Sequence, residues 1–333
     1  MKLEKKILII IHICFVLYSC KQNKWDIEVE NKDLKISVVN VDSLLFNSTK
    51  KEVKKIHDSL TEALGEMYLY EVSMNTQAPI DSETPTILKK FYENEYINEL
   101  ESEKEKLNNQ VDEQFSKLNK AFNYLLHHFP EVKTPSRIVL MNNLFSGISI
   151  ADNEIYIGLE KYLDPTSDLV KNIPDEQLHK WQKESMNIEF LARDILIQWI
   201  QTSIFDEKDE HLAFHIIQAG KVLTVLQACF PNETEEYIMR YNSDEINWAV
   251  ENEQLFWEYL VKEEMLFKNN PRDKTNFLNE GPYTVGLPEK GPDRMGQFLG
   301  LQMAKSYLKS NKKLSLQEFL EVEYNAILQA YEI

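Results

Sequence analysis

Glycine is scarce: the 333-residue chain has 9, and five of them, Gly281, Gly286, Gly291, Gly296 and Gly300, fall in one short stretch. Glycine-rich loops that cradle phosphates are therefore missing elsewhere, and no segment carries a nucleotide-binding signature. Basic residues are outnumbered, 37 against 54 acidic, which leaves a net charge of -17, and no basic segment stands out in the later chain. Nucleic acid needs a phosphate-neutralising surface, so that class of partner is excluded. Cysteine occurs only at Cys14, Cys20 and Cys229. With 43% hydrophobic and 27% charged residues, the chain is too apolar to be disordered and too charged for a multi-span membrane protein, and one or two globular domains are expected.

Long apolar runs are also lacking after the first twenty residues. Lys2, Lys5 and Lys6 precede an apolar run over 7–17 that is too short to span a bilayer, so residues 1–19 read as a signal peptide. The run ends in Leu17-Tyr18-Ser19-Cys20, which resembles the bacterial lipobox, where the cysteine thiol is acylated and the chain is cut before it. Cys20 is then the lipid-attachment residue, and its acyl chains exceed the two-signal threshold for stable anchoring without any transmembrane helix. Cleavage removes three lysines and one glutamate and takes the net charge from -17 to -19. Cys14 leaves with the signal and Cys20 is modified, so no internal disulfide can form, and Cys229 in its apolar stretch is expected to be a buried small hydrophobe. Lys21 follows Cys20 where an aspartate would hint at inner-membrane retention by analogy with other bacteria, which favours the outer membrane.

The expected organisation is an acylated Cys20 with a short polar tether over 20–35, then a single periplasmic globular domain over 36–333. Its fold class is mainly α with a small β-sheet. Strand character appears at 36–41, 137–141, 147–150 and 154–159, with a tight turn at Asp152-Asn153 joining the last two. Leu107, Val111, Phe115, Leu118, Phe122, Leu125 and Phe129 recur at spacings of three and four and predict an amphipathic helix that Pro130 ends. The charged stretch 99–106 before it either projects into solvent or is a separate helix set off by a break, a solvated helix being the safer reading. Further helical stripes run over 188–200, 214–230, 246–267, 298–308 and 316–331.

Several constellations bear on chemistry. His211 and His215, at i and i+4, have a spacing able to chelate a metal from one helix face, but Leu212 stands where a general-base glutamate would follow the first histidine. The bland reading makes His211 part of a solvated helix start and leaves His215 partly buried. His127 and His128 point about 100° apart on a helix and suit a C-terminal dipole role better than chelation. Asp194 lies inside the stripe 191–199, where an unpaired carboxylate is costly, and pairing with Arg193 or a downstream basic residue is expected. The Gly/Pro alternation over 281–292 reads as an extended surface loop. Arg294 follows it at a helix start, able to fork to a carboxylate such as Asp194, and Gly296 and Gly300 make a bare strip another backbone can approach.

Taken together these residues resemble the gliding-motility lipoprotein GldB family of the Bacteroidetes, over about 42–331. The resemblance rests on Cys20, on His127-His128-Phe129-Pro130, on 150–163, on Ile216-Ile217-Gln218-Ala219-Gly220-Lys221, on 248–257 and on Gly291-Pro292-Asp293-Arg294-Met295-Gly296. Asp293-Arg294-Met295 and the C-terminus at Ile333 are looser than the family pattern, as in a divergent branch. The resemblance implies a periplasm-facing lipoprotein of gliding and type IX secretion, with other envelope proteins as partners, no cofactor and no established enzyme activity. It also implies a zincin-like helical domain lacking the metal motif, in which 193–197 would occupy the metal helix and Gln218-Ala219-Gly220 the glutamate helix. Asp194, Gln218, Gly220, Arg294 and Gly296 would then border a cleft for an extended peptide against the strand near Ile155. The alternative is a divergent metallohydrolase using His211 and His215.

Overall fold

The computed structural model describes residues 24–288 and 291–331, so Cys20 and the expected signal peptide lie outside the described residues. Strand β1 (Ser37–Asn40) runs into α1 (Val41–Phe46), with the Asn40 side chain accepting from Ser43 N as its N-cap. Helix α2 (Lys50–Thr76) starts with a capping box of Thr49 and Glu52 and is broken at Gly65, whose φ of 63° a helix does not allow. Helices α3 (Thr84–Tyr92), α4 (Glu95–Glu105) and α5 (Asn108–His128) follow, then the strands β2 (Arg137–Leu140), β3 (Ile148–Ala151) and β4 (Glu154–Ile157). The C-terminal half is helical: α6 (Asp168–Asn172), α7 (Lys180–Glu184), α8 (Leu191–Ile204), α9 (Leu212–Cys229), α10 (Glu235–Met239), α11 (Ser243–Glu251) and α12 (Glu253–Lys262). It ends with α13 (Pro271–Leu278), α14 (Met295–Ser310), α15 (Leu316–Leu320) and α16 (Tyr324–Gln329).

The expected strands form one mixed sheet in the order β1-β2-β4-β3, parallel except for the antiparallel β3–β4 hairpin. Val139 pairs with Val39 on one side and Tyr156 on the other, and Ile150 faces Ile155 across the hairpin. Asp152 and Asn153 both take positive φ, 48° and 66°, the twist a two-residue hairpin turn requires and these residue types tolerate. Ile155 is fully buried on a strand flanked on both sides, so it offers no edge to a peptide; the hairpin's free edge belongs to β3.

Helix α9 is the hub of the helical half, packed against α5, α8, α13, α14 and α16. It is long and apolar enough to span a membrane, contrary to the expectation that no later run is, but most of it is buried inside the protein. A helix apolar all round needs neighbours on every side, and here other helices supply them. At its crossing with α14 a Cβ on Gly220 would lie 2.0 Å from Gly300 O, and one on Gly300 would lie 2.0 Å from Ile216 O. The bare strip thus serves intramolecular packing: at Gly296 the backbone approached is Phe277 O, 2.8 Å from a Cβ built there. Cys229, buried at the end of α9, is the small hydrophobe expected.

Four expectations change. The stretch 99–106 is the separate helix of the two readings, α4, but it is not simply solvated: it turns Glu101 and Lys104 into the interior. The stripes over 246–267 and 316–331 are each divided in two, at Asn252 and near Val322. Part of the tether is docked: Lys32 N and Leu34 N donate to Asn123 Oδ1 and Asn119 Oδ1 on α5, both at 3.2 Å, and Trp25 is buried. Finally, burial and then the neighbouring His127 push His128 down to about 4, so at neutral pH it brings no charge to the end of α5.

Candidate functional site

Two buried ionic clusters stand out. In the first, Lys104 lies 2.6 Å from Asp42 Oδ2 and 2.5 Å from Glu101 Oε1, and Tyr92 donates to Asp42 Oδ1 at 2.7 Å. Nearby Glu160, wholly buried, accepts from Asn143 N at 2.7 Å and Phe145 N at 3.2 Å. It thereby holds a loop in which Leu144 and Phe145 sit at φ 54° and 64°, a costly conformation for such side chains. Burial, reinforced by Glu160, raises Glu71 to about 7, and burial with Asp42 raises Glu101 to about 7. The cluster has one ammonium for several carboxylates, and its geometry serves the junction of the sheet with the N-terminal helices.

The second cluster lies beside a cleft of about 760 Å³. It begins on α8, where Asp194 Oδ1 accepts from Arg193 Nη1 at 2.8 Å and Oδ2 faces Arg240 Nη1 at 2.9 Å and Tyr162 OH at 3.2 Å. The expected pairing of Asp194 with Arg193 and a downstream base is realised, the downstream base being Arg240. Arg193 is itself locked, donating from Nε and Nη2 to Ile238 O at 3.1 and 2.8 Å.

Arg240 ends α10 in the left-handed conformation, φ 57°, which carries its side chain back across the cleft. There it lies 5.2 Å above the Phe190 ring, donates from Nη2 to Ser185 O at 2.9 Å and approaches Glu280 Oε1 at 3.7 Å. Among the described residues its buried Nε has no hydrogen-bond partner. Burial works against a charge on Glu280, but Arg294, Lys161 and Arg240 together hold its carboxyl below the usual range.

Arg294 forms the opposite wall. It precedes α14, also left-handed at φ 51°, and its Nε donates to Asp293 Oδ1 at 2.8 Å over the Tyr241 ring at 5.4 Å. Its charge is therefore met by Asp293 and not by Asp194. Thr284, expected in a surface loop, is fully buried: its Oγ1 donates to Pro292 O at 2.9 Å and accepts from Met295 N at 3.1 Å, pinning the loop onto the start of α14. Trp181, Glu184 and Glu245 complete the cleft wall.

Asp194 and Arg294 are thus brought together, joined through Arg240, whose carbonyl accepts from Arg294 Nη2 at 3.4 Å. Gln218 is not among the cleft residues; its Nε2 donates to Asp206 O at 3.2 Å, while Gly220 and Gly296 serve helix packing. Arg240, Tyr241 and Glu280 were missed in the sequence, where each is a lone polar residue in a short loop or helix end. The glycine-proline segment marked one wall only.

His211 and His215 have other occupations. His211 is the N-cap of α9, its Nδ1 accepting from Phe214 N at 3.3 Å and its Nε2 lying 3.1 Å from Tyr324 OH. His215 Nε2 is 3.5 Å from Lys274 Nζ, and burial and then Lys274 lower its pKa. The Lys274 ammonium beside His215 would repel a cation bound to that ring. Among the described residues no group of three His, Cys, Asp or Glu side chains is placed to hold a metal ion.

Residues 22–332 match the protein family described as "Gliding motility protein GldB". No curated protein and no solved structure matches the chain.

Proposed function

We infer the function of this chain from the gliding motility protein GldB family, to which it belongs. It is a membrane-anchored, periplasm-facing lipoprotein, acylated at Cys20, that supports gliding and type IX secretion as a non-enzymatic component. The observation that carries this reading is the family match along 22–332, directly behind a lipobox. Support for a binding role comes from the cleft. Its arginines and carboxylates are largely spent on one another, which makes a rigid polar seat lined by Trp181, Phe190 and Tyr241. Aromatic and arginine side chains held in place in a concave surface suit the docking of a partner protein's segment.

The test is genetic. Deleting the gene in its host is expected to abolish gliding and reduce secretion, with recovery by the intact gene and not by Cys20→Ser, which should also lose labelled-palmitate incorporation. Gliding and secretion that survive the deletion would overturn the reading.

A further inference from the structure

We propose that the turn between α14 and α15, with Lys24 beside it, is the face this domain lays on its membrane, and that Lys309, Lys312 and Lys313 hold anionic lipid headgroups there. The proposal rests on the anchoring reading of Cys20. Two independent observations carry it, the exit point of the chain and the local charge.

The described chain begins beside this turn. Lys24 Nζ donates to Leu314 O at 2.5 Å, and the neighbouring Trp25 is buried with its ring edge-on to His128, 5.6 Å away. From Cys20 to Lys24 the chain can extend at most roughly 14 Å. The acyl chains therefore hold the residues around Leu314 closer to the bilayer than any face across the domain.

Charge is segregated to the same place. In a chain with 54 acidic residues, none occurs between Asp293 and Glu318, while Lys305, Lys309, Lys312 and Lys313 do. Lys305 is paired with Glu235, but Lys309, Lys312 and Lys313 are exposed, and among the described residues no carboxylate forms an ion pair with them. Glu318, the nearest carboxylate in sequence, is folded back as a cap, its Oε2 accepting from Ser315 N at 2.7 Å and Ser315 Oγ at 2.9 Å. Lys24 adds to the same patch, with the Glu318 carboxylate in its field. The cleaved chain, of net charge -19, is repelled by an anionic bilayer over most of its surface. With a screening length of about 8 Å, only the nearest face is felt, so the lysine turn toward the lipid is the orientation of lowest energy.

The experiment uses the full acylated protein in vesicles of phosphatidylcholine alone or of phosphatidylcholine mixed equally with phosphatidylglycerol. Flotation reads the anchor, and mass spectrometry after a water-soluble lysine-acylating reagent reads the face. Lys309, Lys312 and Lys313 are expected to react roughly fivefold more slowly on the anionic vesicles, a difference that high salt removes. In Lys312→Glu/Lys313→Glu, Lys309 should react equally on both. A chain that floats with both vesicles but labels equally overturns the orientation and leaves the anchor standing. One that floats only with anionic vesicles supports the basic face and overturns the anchor; one that floats with neither overturns both.

Discussion

A Cβ placed on Gly220 would fall 2.0 Å from the carbonyl oxygen of Gly300, so α9 and α14 cross at a distance only two glycines permit. Backbone cannot move aside as a flexible side chain can. Gly220→Ala or Gly300→Ala is therefore expected to cost about 3 kcal/mol or more in thermal unfolding, as overpacking of a close-packed core does. Gly281→Ala, whose nearest contact is 3.6 Å away, should be near neutral. Equal stabilities in all three would show that the crossing relaxes.

Asp194 is the shared counter-charge of Arg193 and Arg240. Asp194→Asn leaves two buried guanidinium groups without it, and the expected loss is about 3 kcal/mol, in the range for breaking one side of a buried pair. Urea unfolding measures this; a change below about 0.5 kcal/mol, the scale of ordinary surface substitutions, would mean that Glu280 or water takes over.

Burial first, and then the Glu160 charge, raise Glu71 to about 7 from its ordinary 4.5. Between those values the folded protein keeps a proton that the unfolded chain releases, so the group's contribution is whole below pH 4.5 and is lost as pH rises through 7. Glu71→Gln, which cannot ionise, should raise the melting temperature at pH 8 and leave it nearly unchanged at pH 4, with a differential of up to about 3 kcal/mol. A uniform shift at both pH values would exclude this account.

With Lys274 at His215 and a cap hydrogen bond at His211, neither histidine should bind metal. Elemental analysis of protein purified without chelator or metal-affinity resin is expected to give the same zinc content for wild type and for His211→Ala/His215→Ala. The double variant should lose about 1 kcal/mol through the missing N-cap. Stoichiometric zinc that disappears with the two histidines would restore the hydrolase alternative.

Trp181 is half-buried in the cleft wall and takes part in none of the arginine–carboxylate pairs. Trp181→Ala should leave the domain folded by circular dichroism while impairing gliding, since a truncated interface tryptophan typically costs 2 kcal/mol or more of binding, roughly a thirtyfold loss of affinity. Normal gliding with a folded variant would remove the cleft from the proposed function.

Local signals were read correctly where the cause is local. Asp152-Asn153 announces its hairpin because those two residues tolerate positive φ, and the spacing from Leu107 to Phe129 announces α5 because one helical face must leave water. Reading failed where burial reverses what a residue type prefers. Glu101 and Lys104 look solvated in a run of charges, yet they are interior because Asp42, distant in sequence, meets Lys104 there. Arg240 gives no signal at all: its place in the cleft follows from a left-handed residue at the end of α10 and from Asp194 on another helix. The lysine turn was legible in the sequence as a stretch over 294–317 without a carboxylate and was hidden only by the whole-chain charge; what the sequence does not show is that Lys24 docks beside it.

The sequence by itself determined the acidic character, the helical body with a small sheet and the family, since these depend on residue order, composition and periodicity over short spans. Tertiary structure alone decided which charges are buried, which helices can touch and where the cleft and the chain's exit lie. Those outcomes rest on pairings between residues far apart in the chain, such as Asp194 with Arg240 and Lys24 with Leu314, whose energies exist only once folding has removed the intervening water.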